Sequence, residues 1–392
     1  MFKQLSAVMA MNLSTLPQRL GASSVIVIGI AGVVAVLVSV LAMSAGFHHT
    51  LADGGRADRA IVLRGGSDAE LNSNLTREDV DVIASAPGVA KDADGKALLS
   101  MELVTVANVP KRDTGTDANV TLRGVGLRLL DVRPEIKIVA GRMFHPAVRE
   151  LIAGAGALKQ FRGLTVGSTL HIRNADWTVT GVFTSNGDVH ESELLADVDT
   201  VGSMLERTGY SSAIVLLDGA ASFVPFKDAL TTDPRLKVDA EREPDYYAAQ
   251  SKDLSKTISI IGNSVAMIMA IGAMFGALNS MYSAVAARSL EIATLRAIGF
   301  GGLPVLVSIM LEALLLALLG GVLGAALAWL IFNGHSVSTL GGAFAQVVFE
   351  LTVTPALIVT GVVWACIIGL LGGFFPALRA ARLPVAEALR AA

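Results

Sequence analysis

The sequence predicts an α-helical membrane protein with four transmembrane helices and an α+β extracytoplasmic domain inserted between helices 1 and 2. Three observations carry this. Of 392 residues, 53% are hydrophobic and 17% charged, with a mean hydropathy of +0.59; soluble domains carry about 25% charged residues. The charge is also segregated, since all but eight of the 31 Lys/Arg and all but four of the 34 Asp/Glu lie between Phe47 and Ser255. Outside that block, four segments each supply the roughly 20 apolar residues that cross a ~30 Å hydrocarbon core.

Taken in order, residues 1–23 read as an amphipathic segment and residues 24–46 as the first span. Ala42-Met43-Ser44 resembles a weak signal-peptidase site, but the apolar stretch far exceeds the ~7–15 residues of a signal h-region, so a retained helix is expected. Residues 47–255 form the inserted domain and 256–283 the second span. Residues 284–302 form an amphipathic connector, 303–332 the third span, 333–353 a short loop, 354–375 the fourth span and 376–392 a terminal segment. Lys3, Arg19, Arg288, Arg296, Arg379, Arg382 and Arg390 flank the spans on one side, and Asn333–Val353 has no Lys or Arg. The positive-inside rule therefore expects both termini and the connector in the cytoplasm and the large domain outside. Small residues at four-residue spacing, Gly272 and Gly276, Gly320 and Gly324, Gly369 and Gly373, predict close helix approach, chiefly within the subunit.

In the domain, strands are expected at Ala60–Arg64, Leu103–Ala107, Val120–Val125, Thr169–Ile172, Trp177–Phe183 and Ala213–Leu217. Helices are expected at Thr76–Ser85, Val148–Phe161, Asp199–Arg207 and Phe223–Thr231, the first opened by a Thr76/Asp79 capping box and stopped at Pro87-Gly88. Catalytic patterns are missing from the sequence. His48-His49 with Asp53 reads as a polar turn rather than a metal site, and Gly154–Lys159 lacks phosphate-loop spacing. Asp188, His190, Glu191 and Glu193 read as a solvated turn. Cys366 lies in an apolar run and reads as packing, and no dense basic run suggests nucleic acid.

The connector is the most specific stretch. Arg288-Ser-Leu-Glu291-Ile292-Ala-Thr-Leu295-Arg296-Ala-Ile298-Gly299 resembles the R-x-x-E-I-x-x-x-R-A-I/L-G signature of the MacB/FtsX-like permeases of ABC transporters. Gly320-Gly321-Val-Leu-Gly324 and the terminal run Gly372-Gly373-Phe-Phe-Pro376-Ala-Leu-Arg379-Ala-Ala-Arg382, followed by Pro384 and Arg390, are similar to that family too. Leu383 stands where the family often has Asp, a poor N-cap before Pro384.

The resemblance implies a bacterial inner-membrane permease subunit that binds no cofactor. ATP and Mg would sit on a separate ATPase dimer, because the sequence has no Walker A loop. It further implies a second permease copy or paralogue, lipid contact, and in some branches a periplasmic adaptor and outer-membrane duct. Arg288, Glu291, Ile292, Leu295, Arg296 and Gly299 are then the expected ATPase-coupling residues, with Pro376, Arg379, Arg382, Pro384 and Arg390 as a second cytoplasmic contact. The residues support this independently. On a helix Arg288, Glu291 and Leu295 share a face, Ile292, Leu295 and Gly299 offer an apolar strip for a partner groove, and Gly299 suits a left-handed helix end. Glu312, about two turns into the third span, is expected to make a headgroup-level or intersubunit polar contact. The expected function is mechanotransmission, with export or extraction of a lipid, lipoprotein or small-molecule cargo. The alternative is an FtsX-like regulator of a periplasmic cell-wall hydrolase or signalling partner.

Overall fold

A computed structural model describes residues 20–52, 55–340 and 346–383. In chain order it contains α1 (Leu20–Ala52), β1 (Arg59–Arg64), α2 (Arg77–Ala84), β2 (Leu99–Pro110), β3 (Asp117–Val125), α3 (Leu129–Val132), β4 (Lys137–Gly141) and β5 (Glu150–Gly154). Then come α4 (Ala155–Gln160), β6 (Thr169–Ile172), β7 (Ala175–Thr184), β8 (Leu194–Asp197), α5 (Val198–Leu205), β9 (Ser212–Leu216), α6 (Phe223–Thr232) and β10 (Val238–Arg242). The chain closes with α7 (Glu243–Ala287), α8 (Ser289–Ala297), α9 (Gly302–Phe332), β11 (Ser336–Leu340), β12 (Gln346–Glu350) and α10 (Pro355–Ala381). Among the described residues, four helical stretches are long and apolar enough to cross a membrane: Ser23–Thr50, Lys256–Ala287, Gly302–Phe332 and Pro355–Ala381. The chain divides into two compact units, one of helices and one built on a sheet.

The sheet unit covers residues 46–256 and 336–350. Its ten-stranded sheet has the order β10-β1-β9-β2-β3-β8-β5-β7-β4, with β6 added on β7. The β3/β8 and β5/β7 pairs are parallel and the rest antiparallel. Side chains alternate across a strand, and here the two faces differ in chemistry. One face buries Ala60, Val62, Leu103, Leu122, Ala213 and Val215 beneath Val80 and Ile83 of α2, Val201 of α5 and Phe226 of α6. The other presents Arg59, Ser100, Glu102, Arg123 and Ser212, all buried. Helix α2 starts with the expected capping box: the Thr76 hydroxyl accepts from Asp79 N, and the Asp79 carboxylate accepts from Thr76 N.

Three expectations are corrected here. Val148–Phe161 is not one helix, because Glu150–Gly154 forms β5 and only Ala155–Gln160 is helical. Leu151, Ile152 and Ala153 are fully buried between β7 and β8, and that pairing outweighs local helix propensity. The 333–353 loop contains an antiparallel hairpin, β11–β12, which packs within the sheet unit. The turn at Asp188–Glu193 is not solvated: Asp188, His190 and Glu193 are each under 5% exposed.

That turn belongs to a buried ionic network. Arg123 binds Glu70, Glu102 and Glu193 at 2.7 Å each. Arg59 and Arg133 both hold Glu243, the first residue of α7, and Arg59 also binds Glu135 at 2.6 Å. Burial alone would raise the Glu193 carboxyl, but the Arg123 guanidinium and His190 more than offset this and hold it well below the usual carboxylate range. Burial acts the same way on Glu243, and Arg133 and Arg59 prevail there. Burial keeps Asp188 above its ordinary value and pushes the Tyr247 phenol well up. Such a network adds little net stability over an apolar core, but breaking one partner costs about 3–5 kcal/mol.

The helical unit is packed through glycines. A side chain at Gly320 or Gly324 of α9 would strike Val27, Ile30, Ala31 or Val34 of α1, and one at Gly369 or Gly373 of α10 would strike Ala313 or Ala317 of α9. Gly321 meets Val362 and Ala365, and Gly372 meets Ala277 of α7. Four of the six expected packing glycines therefore sit at helix contacts. Gly272 and Gly276 do not, since both face open space. Helix α7 itself starts at Glu243, ahead of its apolar stretch Lys256–Ala287.

Candidate functional site

The sequence of the connector folds into a break, a short helix and a glycine stop. Helix α7 ends at Ala287, and Arg288 leaves helical geometry (φ −108°, ψ 9°) to become the N-cap residue of α8. Glu291 lies in the first turn of α8 and Arg296 in the last, the arrangement a helix dipole favours. At the far end Gly299 takes φ +98°. Its N–H donates to Arg296 O, and Phe300 N–H donates to Leu295 O, both at 3.1 Å. Those two bonds make a Schellman motif, which requires a left-handed residue and so favours glycine.

Arg288 is the hub of the site. Its Nη1 donates to Glu312 Oε2 of α9 at 3.1 Å, and its Nε to Glu291 Oε2 at 3.3 Å. Arg288 and Glu312 are 6% and 7% exposed; Met281, Val285, Ile292, Val305 and Ile309 surround them. Glu291 is half-exposed. Glu312 is thus neutralised inside its own chain, which corrects the expectation of a headgroup or intersubunit contact. A carboxylate in an apolar setting is held there by a matching guanidinium.

Arg296 makes the second tie. Its Nη1 donates to Leu383 O at 2.7 Å, just beyond the end of α10. A third lies between spans, with the Arg379 guanidinium 5.7 Å from the Tyr282 ring centroid, within reach of a cation–π contact. Pro376 is buried inside α10, and Arg382 is exposed as its C-cap. Pro384 and Arg390 lie outside the described residues.

The apolar strip differs from the expected one. Ile292 is buried against the helical core rather than offered to a partner, and Leu295 is half-buried. The outward face consists of Leu290, Glu291, Thr294, Ala297 and Ile298, with Leu290 47% and Ile298 69% exposed. Leu290 and Ile298 stand eight residues apart, a spacing legible in the sequence. Which of the two apolar faces turns inward depends on how α8 packs. Among the described residues, no group of three or more His, Cys, Asp or Glu is arranged to hold a metal ion.

Four apolar helices and a large sheet domain inserted after the first define a multi-pass membrane protein with an extracytoplasmic-type domain. Residues 21–233 match the MacB-like periplasmic core domain, and residues 263–385 match the FtsX-like permease C-terminal domain. The chain belongs to the MacB/FtsX-like family of ABC transporter permeases. The macrolide export ATP-binding/permease protein MacB of Psychrobacter arcticus is 27% identical over 339 residues, 81% of this chain and 48% of that protein. Its namesake from Burkholderia lata is 25% identical over 413 residues, covering 98% of this chain and 56% of that protein. The chain thus spans about half the length of these curated relatives. Among solved structures, the periplasmic region of MacB from Actinobacillus actinomycetemcomitans matches with a TM-score of 0.36 and 14% identity, over 53% of this chain and 95% of that one. The extracellular domain of the noncanonic ABC-type transporter YknZ from Gram-positive bacteria matches with a TM-score of 0.36 and 18% identity, over 47% and 99%.

Proposed function

We propose that the chain is a mechanotransmitting permease of the inner membrane, with its termini and α8 in the cytoplasm, in which an ABC ATPase acts on the outward face of α8. The reading rests on one observation: α8 exposes Leu290 and Ile298 while Arg288 and Arg296 fasten it to α9 and to the end of α10. A short helix bound at both ends to long helices passes a displacement on, where a freely hinged loop would absorb it. The four spans hold few polar groups, which suits levers better than a hydrophilic pore. The sequence has no G-x-x-x-x-G-K-[ST] loop, and the proposal places the nucleotide site, with its ATP and Mg, on an ABC ATPase outside these residues. Paired permeases would carry a lipid, lipoprotein or small-molecule cargo, with a periplasmic adaptor and outer-membrane duct as further partners.

The test is purification of the chain from its native membranes, with and without Leu290→Asp plus Ile298→Asp. The wild type is expected to bring down an ABC ATPase, and the variant to insert normally yet lose it. Retention of the ATPase with unchanged ATP-driven activity would overturn the docking assignment. Capture of a cell-wall hydrolase whose activity the chain controls, with no cargo movement, would favour the regulator reading.

A further inference from the structure

The chain leaves the sheet unit toward the spans by separate routes. One is the root of α7, residues Glu243–Tyr247, which continues as the second span. Another is the β11–β12 hairpin, which joins α9 to α10. Both are gripped by the same four residues, the 3-10 turn Val189–Ser192.

His190 takes the first route. Its Nε2 lies 3.2 Å from the Tyr247 hydroxyl, its Nδ1 lies 2.9 Å from Glu193 Oε2, and its ring meets Tyr247 edge-on. Ser192 takes the second. Its hydroxyl accepts from Val348 N–H at 2.8 Å and donates to Val348 O at 3.3 Å, so one side chain pairs β12 as a neighbouring strand would. Between them, the Glu191 carbonyl sits where a side chain at Gly154 or Gly156 would stand, which fixes the turn against β5 and α4. The Glu191 carboxylate accepts from Ser185 N and Gly187 N at 2.8 Å each. The Asp188 carboxylate caps the turn at His190 N, and Glu193 anchors it to Arg123. A turn bonded on every side has little freedom to yield locally.

We propose that the turn Val189–Ser192 is a rigid coupler, so that displacement of the root of α7 is transmitted to the β11–β12 hairpin and the reverse. His190 and Ser192 act as positioning residues. The coupling lies within one unit and is independent of which partner drives the spans.

Hydrogen exchange of the full chain in lipid nanodiscs tests it without any ATPase. Tyr247→Phe removes one oxygen at the α7 root and touches nothing in the hairpin. Amides of residues 346–350 are nevertheless expected to exchange faster, by roughly fivefold, the size of one net hydrogen bond. Ser192→Ala is expected to do the reciprocal, speeding residues 243–250. If each substitution alters exchange only beside its own contact, the coupler is overturned. His190→Phe serves as a third variant and is expected to loosen both segments together; a response at 243–250 alone counts against the proposal.

Discussion

The guanidinium of Arg288 and the carboxylate of Glu312 meet at 3.1 Å, both almost fully buried, where the second span ends and the connector helix begins. The pair fixes a turn in the chain to a point on the third span 24 residues later. Both are set among apolar side chains, so the loss of one is felt differently from the loss of both.

Glu312→Leu is therefore expected to destabilise the chain by up to about 3–5 kcal/mol, because it leaves the buried Arg288 cation with the half-exposed Glu291 as its remaining carboxylate partner. Arg288→Leu combined with Glu312→Leu should cost less than either single change. Unfolding in mixed micelles across the double-mutant cycle measures the coupling, and a value near zero would show that the pair contributes nothing.

The glycines make a contrast within one family of substitutions. Gly324→Val drives a side chain into the backbone of α1, and Gly369→Val drives one into Ala317. Each should cost at least about 1–3 kcal/mol. Gly272→Val, facing open space within the chain, should leave the melting temperature of the isolated chain nearly unchanged. Equal losses at all three positions would refute the packing described.

Acid sensitivity follows from Glu150. Arg142, with help from His145, lowers its carboxyl from 4.5 to about 2. A depressed carboxyl contributes stability that is complete above its unfolded pKa and fades as pH falls toward the folded value. The wild type should lose stability between pH 4.5 and 2, as Trp177 emission reports, and Glu150→Gln should flatten that limb.

Arg123→Met predicts the opposite slope. It strips the shared cation from Glu70, Glu102 and Glu193, and burial then raises the Glu193 carboxyl that Arg123 had held down. A raised carboxyl stabilises the fold in its protonated form, so this variant should recover stability as pH falls from 7 toward 5. A variant that instead weakens in parallel with the wild type would contradict the assignment of Arg123 as the common counter-charge.

Gly299→Ala isolates backbone geometry. Its Cβ would meet no atom, so the expected cost of about 1 kcal/mol comes from φ +98° alone. Faster amide exchange at Ile298–Phe300, with the rest of α8 unchanged, is the outcome to look for.

Sequence alone determined the four spans, the inserted domain and the connector, since these rest on hydropathy and local charge that no neighbour alters. It likewise located the Thr76 cap and the Gly299 stop, each set by a few adjacent atoms. Tertiary structure decided the rest. Glu150–Gly154 became a strand because β7 and β8 stand on either side. Strands β11 and β12 were hidden in a loop without Lys or Arg, and the pairing of Val348 to Ser192 joins residues 156 apart. The inward turn of Ile292 and the partner of Glu312 depend on α9 lying alongside, which no local pattern encodes. The network around Arg123 left only a faint sequence trace, the lone charges Glu102 and Arg123 inside strands of mostly uncharged residues. Its meaning emerged when the sheet brought carboxylates from three distant segments to one guanidinium. Local propensity and hydropathy are properties of a few neighbouring residues, whereas burial and ion pairing are properties of whatever the fold places opposite.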